Sequence, residues 1–112
     1  MARDSLDLIK GTLDMLVLKA LSLGTLHGYA ISRWVKERTG GVLGIEDAAL
    51  YQALHRLQRR GWIESEWGLS ENNRRAKYYE LTARGRLQLR SEDTQWRRYA
   101  EAVFSVLDTK PG

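Results

Sequence analysis

A chain of 112 residues has room for one domain with a modest core. Its 43% hydrophobic and 29% charged residues fit an ordinary globular protein, and no apolar run approaches the roughly 20 residues that span a bilayer. Cysteine is absent, which excludes disulfides and thiolate metal sites and leaves self-association as the common way to stabilise so small a fold.

Taken in order, the opening Met1-Ala2-Arg3-Asp4 lacks the apolar block and cleavage site of a signal peptide, which predicts a cytoplasmic protein without a membrane partner. Leu13, Leu16, Val17, Ala20 and Leu21 recur on one helical face and predict a first helix from near Ser5 to Gly24. A second helix is predicted from Gly28 to Arg38, with Ile31, Trp34 and Val35 inward and Thr39-Gly40-Gly41 as its stop. A third follows, with Asp47 as N-cap, a Leu50, Leu54, Leu57 stripe and Gly61 ending it. Trp62 to Trp67 and Ala76 to Leu81 read as strands joined by the polar stretch Gly68 to Arg75. Thr82 caps a long last helix that runs to about Leu107, and Lys110-Pro111-Gly112 is a frayed tail.

The fold class that results is mainly α with a β-hairpin wing, a winged helix-turn-helix followed by a long C-terminal helix. Residues 1–82 form the DNA-binding domain in this reading, and residues 83–112 the dimerisation helix and tail. The net charge of +4 is weak evidence for nucleic acid, but its distribution is informative. Residues 41–90 carry 9 basic and 6 acidic side chains, whereas residues 91–112 carry 3 and 4. A helical wheel of the third helix points Ala48, Gln52, His55 and Arg59 away from the leucine stripe, flanked by Ala49 and Arg56. Gln pairs with adenine, Arg with guanine, and small Ala lets the backbone approach the bases. Asn72, Asn73, Arg74, Arg75 and Lys77 make a cationic wing without an acid, suited to phosphates or the minor groove. A polar helix face alone is more often a solvated face; the wing beside it favours double-stranded DNA as the partner.

The run Ala49 to Leu57, then Gly61-Trp62-Ile63, Trp67-Gly68, Arg74-Arg75-Ala76-Lys77-Tyr78-Tyr79 and Leu81-Thr82-Ala83-Arg84-Gly85, resembles the PadR family of bacterial regulators. Lys10-Gly11-Thr12-Leu13 and His27-Gly28-Tyr29 match its first two helices. The resemblance covers about Leu6 to Leu107. It implies a short-form homodimer that represses nearby genes on a two-fold-related operator, with the last helix as the dimer element. Tyr51 resembles a position that approaches the DNA backbone, with half-buried packing beside Leu54 an equal alternative. The chain departs from the pattern at Ala49, where members often have Ser, Gly or Thr, and at Gln52, where many have Pro.

On the last helix Leu89, Trp96, Ala100, Val103 and Leu107 fall near heptad spacing, with Phe104 beside them, and predict pairing with a partner helix. Trp96 matches a tryptophan that stacks planar aromatic ligands in some multidrug-responsive members, which implies an apolar effector there. A dimer-core anchor without ligand is the plainer reading of an aromatic at helical spacing. The two histidines are far apart in sequence, the acids are scattered, and no phosphate-cradling glycine loop occurs, so no enzyme, cofactor or metal is expected. The remaining rival is a winged-helix protein-interaction module, because fold does not dictate function.

Overall fold

The computed structural model describes residues 6–9 and 11–112. Helix α1 (Leu13–Ser22) starts later than the periodicity predicts; Ser5 and Lys10 lie outside the described residues. The break has a local cause. Gly11 sits at φ +90°, and the Thr12 hydroxyl donates to the Ile9 carbonyl at 2.7 Å, closing a turn that delays the helix. Leu6 instead bridges Leu43 in parallel, its amide donating to the Val42 carbonyl at 2.7 Å. Leu18 lies off the predicted face yet is fully buried. The reason is that α1 is a central helix, packed by α2 and α3 as well as by β3 and α4.

Strand β1 (Leu26–His27) leads directly into α2 (Gly28–Arg38). His27 is the N-cap of α2, its Nδ1 accepting from the Ala30 amide at 3.2 Å. At the other end the Thr39 hydroxyl donates to Val35 O at 2.9 Å and accepts from Leu43 N at 3.0 Å, securing the chain reversal. Helix α3 (Asp47–Arg59) buries Leu50, Ala53, Leu54 and Leu57. Its N-cap is Glu46 rather than the predicted Asp47. Glu46 is extended and makes no side-chain cap bond, while Asp47 already occupies the first turn, where a carboxylate is favourable to the helix dipole.

Strands β2 (Ile63–Leu69) and β3 (Arg75–Leu81) form the hairpin, each slightly longer toward the tip than predicted. The sheet has three antiparallel strands in the order β1-β3-β2. Two residues give no periodic signal, so β1 was not foreseeable from patterning. It pairs Leu26 with Tyr79 and His27 with Tyr78, and so ties the helix-turn-helix to the base of the wing.

Helix α4 (Ala83–Leu107) is capped by Thr82 as predicted, the hydroxyl accepting from Gly85 N at 3.0 Å and donating to Gly61 O at 2.8 Å. Gly85 is buried against the start of β2, where a Cβ would lie 2.0 Å from the Trp62 carbonyl oxygen. Leu89, predicted to face a partner, is half-buried against the core of its own domain. This corrects its assignment: α4 packs against α1 and β3, and Leu89 is spent on that contact.

Candidate nucleic-acid interface

Helix α3 presents an exposed arc. Ala48, Gln52, His55 and Arg59 are all exposed, in line with the leucine stripe opposite them being buried. One step round the helix, Tyr51, His55 and Gln58 form one wall of an open cleft of about 800 Å³. The start of α2 (His27, Gly28, Tyr29, Arg33) and the wing, including Trp67, Glu71, Arg75 and Lys77, line the rest. Gly28 is bare because Tyr51 lies over it: a Cβ there would be 2.9 Å from the Tyr51 hydroxyl. Tyr51 thus lies over the start of α2 and is 53% exposed, on the cleft side.

Arg56 is a correction. It points to the opposite flank of α3, where its Nε and Nη2 donate to the two Asp14 carboxylate oxygens at 3.1 and 2.5 Å. Hydrogen bonding to Asp14 raises its pKa above the ordinary value, partial burial opposes this less strongly, and charge attraction adds to the rise. A guanidinium held in this fork fastens α3 to α1 and is drawn to the flank away from the cleft. Ala49, half-buried, shares that flank: both line a separate groove with Lys36, Ile45 and Glu46.

The wing owes its polarity to register. Trp67 faces Lys77 and Leu69 faces Arg75, so these four project from one side of the hairpin together with Ser65 and Tyr79. Glu64, Glu66 and Glu80 project from the other. The paired strands are thus cationic toward α3 and acidic behind, while the tip adds the acid Glu71 to the cleft. The Arg75 guanidinium lies 4.4 Å from the Trp67 ring centroid and Lys77 Nζ 5.8 Å from it. On the acidic side Tyr78 lies over Gly68, where a Cβ would be 3.1 Å from its ring, and its hydroxyl donates to Leu69 O at 2.8 Å. Burial raises the pKa of the Tyr79 phenol at the base of the cleft, and the neighbouring Tyr51 adds to it.

At the tip, Ser70 N donates to Arg74 O at 2.8 Å and Asn73 adopts φ +58°, a conformation asparagine tolerates. Asn72, Asn73 and Arg74 are exposed there. The tip also contains the exposed acid Glu71, so the wing is less uniformly cationic than five selected residues suggest. Sequence reading also missed Gln58, Tyr29, Arg33 and Trp67 as surface residues. Trp67 was recoverable, since it alternates with Glu64 and Glu66 along β2.

Further along α4, Ala100 is half-buried, and Val103, Phe104 and Leu107 are exposed, with Phe104 at 59% and Leu107 at 70%. Exposed Tyr99 and Val106 widen this apolar surface. Trp96 is half-buried and stacked on Tyr99, with ring centroids 5.9 Å apart and planes inclined by 26°. Both rings border a shallow recess of about 340 Å³ with Gly11, Thr12, Met15, Glu92 and Gln95. No helix among the described residues is long and apolar enough to cross a membrane.

The family described as "Transcriptional regulator PadR-like family" matches residues 17–91, from the middle of α1 to the first turns of α4. An uncharacterised protein X of Lysinibacillus sphaericus is 30% identical over 97 residues, covering 87% of this chain and 89% of the relative. A transcriptional regulator from Clostridium thermocellum superposes with a TM-score of 0.79 at 29% identity, covering 87% of this chain and 94% of that one. A padr family transcriptional regulator from Eggerthella lenta gives 0.77 at 33% identity, covering 90% and 86%.

Proposed function

The chain belongs to the PadR-like family of transcriptional regulators, and from that membership we propose that it is a cytoplasmic homodimer that represses its target genes by binding a two-fold-related DNA operator. One observation carries the DNA reading: the sheet register puts Arg75 and Lys77 on the face that shares a cleft with Tyr51, His55 and Gln58 of α3 and turns Glu64, Glu66 and Glu80 away. Helix α3 enters the major groove, with Gln52 and Arg59 at base edges and Ala48 allowing close approach, while His55 and Tyr51 face the adjoining backbone. Asn73, Arg74, Arg75 and Lys77 hold phosphates or the neighbouring minor groove. Ala49 keeps only a backbone-proximal place at the edge of this surface, and Arg56 is left out of it.

Dimerisation uses the exposed Val103, Phe104 and Leu107 with Ala100 and Trp96, because so contiguous an apolar surface on a free helix favours a partner. Two recognition helices then lie about 34 Å apart or a near multiple. The Trp96–Tyr99 stack and its recess favour a second element of the reading, a planar apolar effector at the dimer centre that releases the operator. Such an effector acts only by binding the DNA-incompetent dimer more tightly than the competent one.

The test is operator binding by fluorescence anisotropy across a salt series, using the DNA upstream of the protein's own gene. Gln52→Ala should cost about 1–3 kcal/mol on the operator and little on unrelated duplex. Arg75→Ala should weaken both and lower the log–log salt slope by about one. An interaction module would bind neither duplex with salt dependence or sequence preference, and that result refutes the proposal.

A further inference from the structure

Trp67 is 55% exposed, an unusual place for the largest side chain unless its face has a use. Its ring lies in the wall of the cleft between wing and α3, and two cations share it: Arg75 at 4.4 Å and Lys77 at 5.8 Å from the centroid. Arg75 and Lys77 are two residues apart on β3 and of like charge, so without a common partner they would repel and spread into solvent. Among the described residues neither has a carboxylate partner, and the indole is the group both lie against.

We propose that Trp67 is a positioning residue of the wing, whose indole face gathers the Arg75 and Lys77 cations on the α3 side of the hairpin and presents them as a preordered pair to a nucleic-acid backbone. The inference rests on the DNA reading above and adds a specific role for a residue that touches no phosphate itself. Its physical basis is conformational entropy. Free Arg and Lys side chains lose rotamer freedom when a phosphate immobilises them. A cation already resting on a ring has lost part of that freedom before DNA arrives, so more of the contact energy appears as affinity. The ring quadrupole, rather than apolar bulk, supplies the attraction.

This distinction sets the experiment. Trp67→Leu retains an apolar side chain without a π face, and Trp67→Phe retains a π face. Operator affinity by anisotropy should fall about fivefold in Trp67→Leu and stay within about twofold of the parent in Trp67→Phe, the size of an exposed cation–π contact. The salt slope should be unchanged in both, because the charges remain; Arg75→Ala, in contrast, lowers it by about one. A measurement on the free protein separates this inference from the DNA reading: the NMR order parameter of Arg75 Nε–H should drop in Trp67→Leu and recover in Trp67→Phe. Unchanged Arg75 order in Trp67→Leu overturns the positioning role whatever happens with DNA, as does equal weakening by Leu and Phe. If Arg75 order responds but the parent shows no salt-dependent duplex binding, the DNA reading has failed and the role in DNA binding falls with it.

Discussion

Replacing Gly85 by Ala sets two physical effects against each other. Helix propensity alone makes Ala the better residue inside α4, by about 1 kcal/mol. The structure reverses the sign. The added Cβ would lie 2.0 Å from Trp62 O and 2.8 Å from Leu81 Cδ1. An acceptable carbon–oxygen contact is about 3.3 Å, so the first turn of α4 must lift by roughly 1.3 Å. The carbonyl cannot yield instead, because it accepts from Thr82 N at 3.0 Å, and Trp62 N donates to Leu57 O at 3.1 Å. Lifting the helix costs about 3 kcal/mol of overpacking, at the upper end because backbone is struck, and strains the Thr82–Gly61 hydrogen bond by about 1 kcal/mol more. Less the propensity gain, Gly85→Ala destabilises by about 3 kcal/mol, or roughly 10–15 °C in Tm for a domain of this size. Urea unfolding followed by far-ultraviolet circular dichroism measures it, at fixed protein concentration because self-association makes stability depend on concentration. Gly44→Ala is the control, since its Cβ meets nothing within 4 Å, and it should be neutral or slightly stabilising. A Gly85→Ala protein as stable as the parent would show that the close approach of α4 to β2 is not a constraint.

Two further outcomes follow from the corrected geometry. A double-mutant cycle on Asp14 and Arg56 should give a coupling of about 1–2 kcal/mol, since the fork is bidentate but solvent screens a guanidinium whose side chain is 38% exposed. Arg56→Ala, assayed where it remains folded, should keep the operator's sequence preference; loss of base selectivity with no coupling would return Arg56 to the reading surface. At the recess bordered by Trp96 and Tyr99, a planar aromatic dye should quench tryptophan fluorescence in the parent and much less in Trp96→Leu. Unchanged quenching in that variant, or no binding below about 1 mM, would leave Trp96 as packing alone.

Much of this fold was legible from periodicity, and what was not has identifiable causes. The leucine stripe of α3 and the Thr82 cap are strong local signals, and they hold in three dimensions. Leu18 was hidden because a helix packed on several sides loses the single apolar face that a wheel detects. Arg56 was misread for a related reason: a wheel separates inside from outside but does not show that Asp14, 42 residues away, waits at the boundary. Leu89 lies on the same heptad spacing as Trp96 and Val103, yet packs on its own domain because α4 also packs against α1 and β3. For the wing, the charge count was available but the division into a cationic and an acidic face required the strand register.

That division bears on how such a protein can change over evolutionary time. A one-residue slip of β3 would turn Arg75 and Lys77 away from α3 and put Ala76, Tyr78 and Glu80 on that side instead. Residues added within the Ser70–Arg74 turn leave the ladder intact and alter only how far the tip reaches, at a small cost in loop closure. With β1 anchoring the base through Leu26 and His27, the hairpin has no second register in which to compensate. Lineages descended from this chain should therefore diversify in the length and composition of the tip, while the number of residues between Ile63 and Leu69 and between Arg75 and Leu81 stays fixed.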